Sequence, residues 1–168
     1  MAPPRTRSRC RELLALAALA GLVPDAAAAT RLDDSLSPRQ RVDIVARWED
    51  RFAEGSSEAQ RLSMVAEASN FEIRLNTAAW VGKQAAIYVS FPQEIVGLRL
   101  SDAMRIEWRT RGRFVSGATT PGQRALVYRG RIDSPVSGDF FDFTYRIDGR
   151  YFDRRIQFQP VFEIEALP

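Results

Sequence analysis

Apolar and polar residues alternate along most of this chain, in short runs that Gly, Pro and Ser interrupt. Val42, Ile44, Ala46 and Trp48 share one phase, against Asp43, Val45, Arg47 and Glu49 in the other. A period of two puts alternate side chains on opposite faces of an extended strand. Gly55-Ser56-Ser57 follows as a turn. Residues 58–69 admit two readings. Ser57 with Gln60 resembles a capping box that opens a helix, whereas Leu62, Met64, Ala66 and Ala68 alternate as a strand does. The strand is preferred, pairing back on the first one across the Gly-Ser turn.

The later runs are all strand-like. Phe71, Ile73 and Leu75 alternate with Glu72, Arg74 and Asn76. Trp80-Val81-Gly82-Lys83 reads as a turn, Ala85 to Phe91 as an apolar strand ended by Pro92, and Leu98 with Leu100 as a short edge piece. Met104, Ile106 and Trp108 face one way and Arg105, Glu107 and Arg109 the other, which places Trp108 in the core. Thr120-Pro121-Gly122 sets Pro and Gly at the two centres of a type II turn, and Ala125 to Ile132 is the next strand. Phe141, Phe143, Tyr145 and Ile147 then alternate with Asp142, Thr144, Arg146 and Asp148. Asp148-Gly149 is a hairpin signal. Ile156, Phe158, Phe162 and Ile164 continue a final strand, in which Pro160 marks a bulge or an edge. Seven or eight short strands without a long helical period predict an all-β fold. The architecture expected is an antiparallel β-sandwich of immunoglobulin-like type, with a small closed barrel as the competitor.

The first thirty residues follow another pattern. Arg5, Arg7, Arg9 and Arg11 precede an apolar run from Leu13 to Val23, Pro24 breaks it, and Ala26 to Ala29 follow. Basic region, short apolar region and small-residue site together read as a secretory signal peptide over 1–29. The run is well short of the roughly 20 residues that span a bilayer. The expected organisation is a signal over 1–29, a flexible polar lead-in over 30–40 and a single domain over 41–168. A periplasmic or extracellular location follows, with no transmembrane segment in the mature chain.

Composition matters mainly through what it removes. Residues 1–29 hold four of the 24 basic and two of the 21 acidic residues, which leaves 20 and 19 and a net charge of +1 for the remainder. So balanced a chain gives no reason to expect nucleic acid. Cys10 is the only cysteine and falls within the signal segment, so the mature chain has no disulfide. Histidine is absent, which excludes Ser-His-Asp triads, Cys-His dyads and zinc sites built on Cys and His. No cofactor is expected.

Candidate binding residues remain. Arg105, Arg109, Arg111 and Arg113 beside Trp108 form either an anion-binding patch or the wet face of a strand. Asp133, Asp139, Asp142, Asp148 and Asp153 could be calcium ligands, but interleaved arginines favour cross-strand ion pairs. The doublets Phe140-Phe141 and Tyr151-Phe152 each turn one ring away from the core, and exposed rings stack on sugars or anchor protein partners. Val42, Ile44, Ala46 and Trp48, behind a polar lead-in, could instead be donated to a neighbour's sheet.

The expected function is non-catalytic protein binding or assembly in the cell envelope. The partner is an envelope or extracellular protein, or another copy of this chain. Partner-binding candidates are Phe140, Tyr151, Trp80, Arg109, Arg111 and Arg113, and strand-addition candidates are Val42, Ile44, Ala46 and Trp48. A carbohydrate-binding module using Phe140, Tyr151 and Trp80 is the alternative. A histidine-independent glycoside hydrolase, with carboxylates among Glu72, Glu107, Glu163 and Glu165, is the weaker one.

Overall fold

Eleven strands form among the residues that the computed structural model describes, namely 29–38, 46–49 and 62–168. They are β1 (Thr30–Arg31), β2 (Arg47–Trp48), β3 (Ser63–Asn76), β4 (Gln84–Ser90), β5 (Val96–Leu98) and β6 (Met104–Thr110), then β7 (Gly117–Thr119), β8 (Arg124–Arg131), β9 (Val136–Asp148), β10 (Phe152–Gln157) and β11 (Val161–Ala166). Seven of them have six or more residues, and the other four are pieces of two or three. The fold is all-β and every pair is antiparallel. One sheet runs β1-β11-β4-β8, a second β2-β3-β9-β6-β7, and β10 pairs with β5 in a small third. None of the three closes into a barrel among the described strands. No described helix is long and apolar enough to cross a membrane.

Alternation decides which faces meet. Along β9, Phe141, Phe143, Tyr145 and Ile147 are buried, and the intervening Asp142, Thr144, Arg146 and Asp148 are not. Ile87, Val89, Val127, Phe162 and Ile164 of the four-stranded sheet join Met64, Ile106, Trp108 and Phe141 of the five-stranded sheet in one apolar cluster. Phe141 meets Phe162 edge-on, with centroids 6.2 Å apart. Trp108 is 2% exposed, and its indole N–H donates to Val115 O at 3.0 Å. The phase read for Met104, Ile106 and Trp108 holds.

Ser63–Asn76 is a single strand, not the two that its runs suggest. Buried residues fall on even numbers through Ala68 and on odd numbers from Ile73. A β-bulge between Ala68 and Phe71 supplies the change of parity. Asn70 takes φ 61° there, a conformation that Asn tolerates better than most side chains, and its N–H donates to Asp142 Oδ1 at 2.7 Å. The preferred pairing with the first strand holds where it is described, with Arg47 opposite Val65 and Trp48 opposite Met64. Val42, Ile44, the Gly55-Ser56-Ser57 turn and residues 1–28 lie outside the described residues. Gly122, at φ 79°, completes the turn after Thr120 as expected, with Gln123 N–H donating to Thr120 O at 3.1 Å.

Three expectations need correction. Asp148-Gly149 does not make a hairpin: a 3-10 turn over Gly149–Tyr151 leads into β10, which pairs with β5. Both edges of β9 are already taken, by β3 and β6, so no returning partner fits. Residues 156–164 are not one strand either. Pro160 separates β10 from β11, and β11 lies between β1 and β4 in another sheet. Finally, the described part of the lead-in is tied down. Thr30 and Arg31 pair with Ile164 and Glu163, Leu32 is 5% exposed, and Ser37 Oγ accepts from Arg74 N–H at 2.8 Å.

Candidate functional site

Where the chain leaves β10 for β11, the two large sheets do not close over one another. Pro160 has no N–H to give to a ladder, and Phe158 and Pro160 are only half-buried. A cleft of about 710 Å³ opens there. Its wall carries five aromatic rings: Phe71 beside the β3 bulge, Phe91 at the end of β4, Phe143 and Tyr145 on β9, and Phe158 on the crossover. The rings brace one another. Phe143 stacks with Tyr145 at 6.0 Å, Tyr145 meets Phe158 edge-on at 5.4 Å, and Phe158 meets Phe91 at 5.6 Å. Phe91 and Phe71 each meet Phe143, at 6.3 and 6.0 Å. Edge-to-face contacts of this kind favour one another by about 0.5–1.5 kcal/mol each beyond area burial, so the wall is preformed.

Polar groups in the cleft are few. Arg31 of β1 lines it together with Gln157 and Gln159. Arg31 is exposed, and no carboxylate stands within 4 Å of it among the described residues. Tyr145 is 5% exposed, yet its hydroxyl makes no hydrogen bond among the described residues. Among the described residues no fully buried side-chain oxygen or nitrogen goes unpartnered, so Oη must keep some access, and the cleft is the open space that Tyr145 lines. Burial pushes the phenol well above its ordinary value of 10.0, which keeps it a neutral donor. Among the described residues the lining has no Asp, Glu, Ser, Cys or Lys.

The residues singled out by sequence lie elsewhere and apart. Phe140 is 39% exposed, on the outer face of the five-stranded sheet, opposite Glu72. Tyr151 ends the 3-10 turn beyond β9, with the Arg150 guanidinium 5.6 Å from its ring. The stretch of β9 from Phe140 to Asp148 spans about 27 Å at ~3.4 Å per residue, so these two rings do not share a platform. Trp80 sits in the turn between β3 and β4, packed on the core under Lys83. Trp48 has the phase of buried Met64 but stays 51% exposed, because β2 is the edge of its sheet.

Most of the arginines are committed to neighbours. Arg111 pairs with Asp142, Nη2 to Oδ1 at 2.9 Å, and reaches Asn70 Oδ1 at 3.2 Å. Arg113 makes two bonds to Asp133 and lies over Tyr128. Arg105 pairs with Glu107. Arg109, on the outer face of β6, has no ion pair among the described residues and lines a shallow polar groove with Glu107, Asp142 and Arg146. The aspartates are equally occupied. The Asn70 N–H and then Arg111 hold Asp142 below the usual carboxylate range, Arg113 does so for Asp133, and Arg150 for Asp148. Asp139, 7% exposed, accepts from the N–H groups of Arg111, Gly112, Phe114 and Phe140 and so clamps the β6–β7 loop. Among the four candidate carboxylates, Glu72 and Glu107 lie on the outer face of the five-stranded sheet. Glu163 and Glu165 lie on the outer face of the other.

Sequence reasoning missed the cleft. Its rings carry the phase of core residues, and only Pro160 hinted that the chain breaks there. Comparison with protein-family models and with curated protein sequences finds no match.

Proposed function

We propose that this is an exported protein, an immunoglobulin-like β-sandwich, that acts by binding, and that the aromatic cleft seats an apolar group of its partner. The observation that carries this reading is the preformed five-ring wall facing about 710 Å³ of open space. That volume falls within the roughly 300–1,000 Å³ of ordinary ligand sites. An apolar guest there would gain about 25 cal/mol per Å² of surface removed from water. A lining without carboxylate, hydroxymethyl, thiol or amine side chains favours binding over catalysis. Export rests on the Arg-rich, apolar and small-residue order of 1–29. Glycan stacking is less favoured, because Phe140, Tyr151 and Trp80 are dispersed. Strand donation is also less favoured, because Arg47–Trp48 already pairs within its own chain.

Titration with the neutral fluorophore N-phenyl-1-naphthylamine tests the proposal. The expected result is a saturable, single-site rise in emission, which Phe158→Ala weakens by about tenfold, the equivalent of ~1.4 kcal/mol. Folded protein that gives no saturable signal would overturn the reading.

A further inference from the structure

We infer that the guest is an apolar carboxylate of the fatty-acid class, its chain lying among the rings and its carboxylate accepting hydrogen bonds from Arg31 and Tyr145. This rests on the cleft being the binding site. Two independent features select the head group. Arg31, exposed, lines the cleft from β1 and, although it lies directly across from Glu163 of β11, makes no ion pair with that or any other carboxylate among the described residues. A planar guanidinium matches a carboxylate's two oxygens. Tyr145, 5% exposed as a residue, adds a hydroxyl that keeps access to open space and has no protein partner among the described residues. An accessible neutral phenol can donate to a ligand oxygen seated in the cleft.

The alternatives fit less well. A cationic amphiphile would meet Arg31 and find no carboxylate in the lining. A purely apolar guest would strip water from both Arg31 and the Tyr145 hydroxyl without replacing it, which costs free energy. A sugar would meet few polar partners, since Arg31, Gln157, Gln159 and Tyr145 are the polar side chains present.

The test displaces bound N-phenyl-1-naphthylamine from the full chain with laurate, 1-dodecanol and dodecylamine, each below its micellar range. Laurate should compete at least tenfold better than the other two, as a charge-assisted hydrogen bond of about 1.5–3 kcal/mol allows. Arg31→Gln should abolish that preference, read as the ratio of laurate to dodecanol competition. Tyr145→Phe, which keeps the ring and removes only the hydroxyl, should weaken laurate severalfold relative to dodecanol. If laurate and dodecanol compete equally, or laurate affinity survives both substitutions, the carboxylate assignment fails while the cleft stands. If the fluorophore does not bind at all, it is the cleft reading that fails.

Discussion

Removing the Asp139 carboxylate should unfasten the loop between β6 and β7, and the cost can be worked bond by bond. Oδ1 accepts from Arg111 N at 3.3 Å and Phe140 N at 2.7 Å, and Oδ2 from Gly112 N at 3.0 Å and Phe114 N at 2.9 Å. Phe114 is 5% exposed, so in Asp139→Ala its N–H is orphaned away from water, at a cost of about 1–3 kcal/mol. Arg111 and Gly112 are exposed, and their N–H groups can turn to solvent, losing about 0.5–1 kcal/mol each. The total is about 3 kcal/mol. Asp139→Asn should recover little of it. Whichever way the amide turns, one –NH2 faces two N–H donors that the oxygen had accepted. Urea unfolding followed by tryptophan fluorescence would read the effect as a midpoint lowered by about 1.5 M, for a slope near 2 kcal/mol per M. An Asn variant as stable as the parent would refute the reasoning, because it would show that the second oxygen accepts nothing of consequence.

Trp108→Ala should cost about 3–5 kcal/mol, as for other large buried aromatics, and its melting temperature would show this directly. Gly117→Ala tests the same packing from the other side. A Cβ there would lie 2.9 Å from Trp108 Cζ2, and a loss of about 1–3 kcal/mol is expected in chemical denaturation. At Asn70, φ 61° makes a β-branched residue unfavourable, so Asn70→Val should lose about 1–2 kcal/mol while Asn70→Gly loses less, by the same assay. Asp142, Asp148 and Asp133 all sit below their unfolded values. Their contribution is present above the unfolded pKa and is lost as pH falls through the lower folded one, so an acid titration of stability should steepen below about pH 4. Tyr145 has the opposite sense, since its folded pKa is raised. Stability should fall as pH climbs beyond about 10, and fall less in Tyr145→Phe.

Much of the fold was legible because period-two alternation is a direct record of which face is buried. The core positions of β6 and β9 follow from it without any tertiary information. What alternation does not record is which strand lies beside which. Asp148-Gly149 carries ordinary hairpin chemistry, and yet Asp148 Oδ1 instead accepts from Arg150 N–H at 3.1 Å and the chain turns away. The reason is non-local, since β3 and β6 occupy both edges of β9. The parity switch at Ser69-Asn70 was in plain view, but it reads equally as two strands or as one bulged strand. What decides between them is Asp142, 72 residues further along, which accepts from the Asn70 N–H.

The candidate site was illegible for a related reason. A ring on the inward face of a strand shows the same phase whether a neighbour covers it or open space does. Phe141, 0% exposed, and Phe143, 3% exposed, are two residues apart on β9 and almost equally buried, yet only Phe143 borders the cleft. The difference is made by Phe158 and Pro160, which arrive from another sheet's crossover. Exposed rings and arginine rows are what sequence patterns find readily, and here those arginines are mostly answered by local carboxylates. The features with unspent chemistry are quieter ones: a guanidinium within an apparent lead-in and a phenol within an apparent core. They come together only when β1 pairs with β11 and brings Arg31 to the cleft that Tyr145 lines.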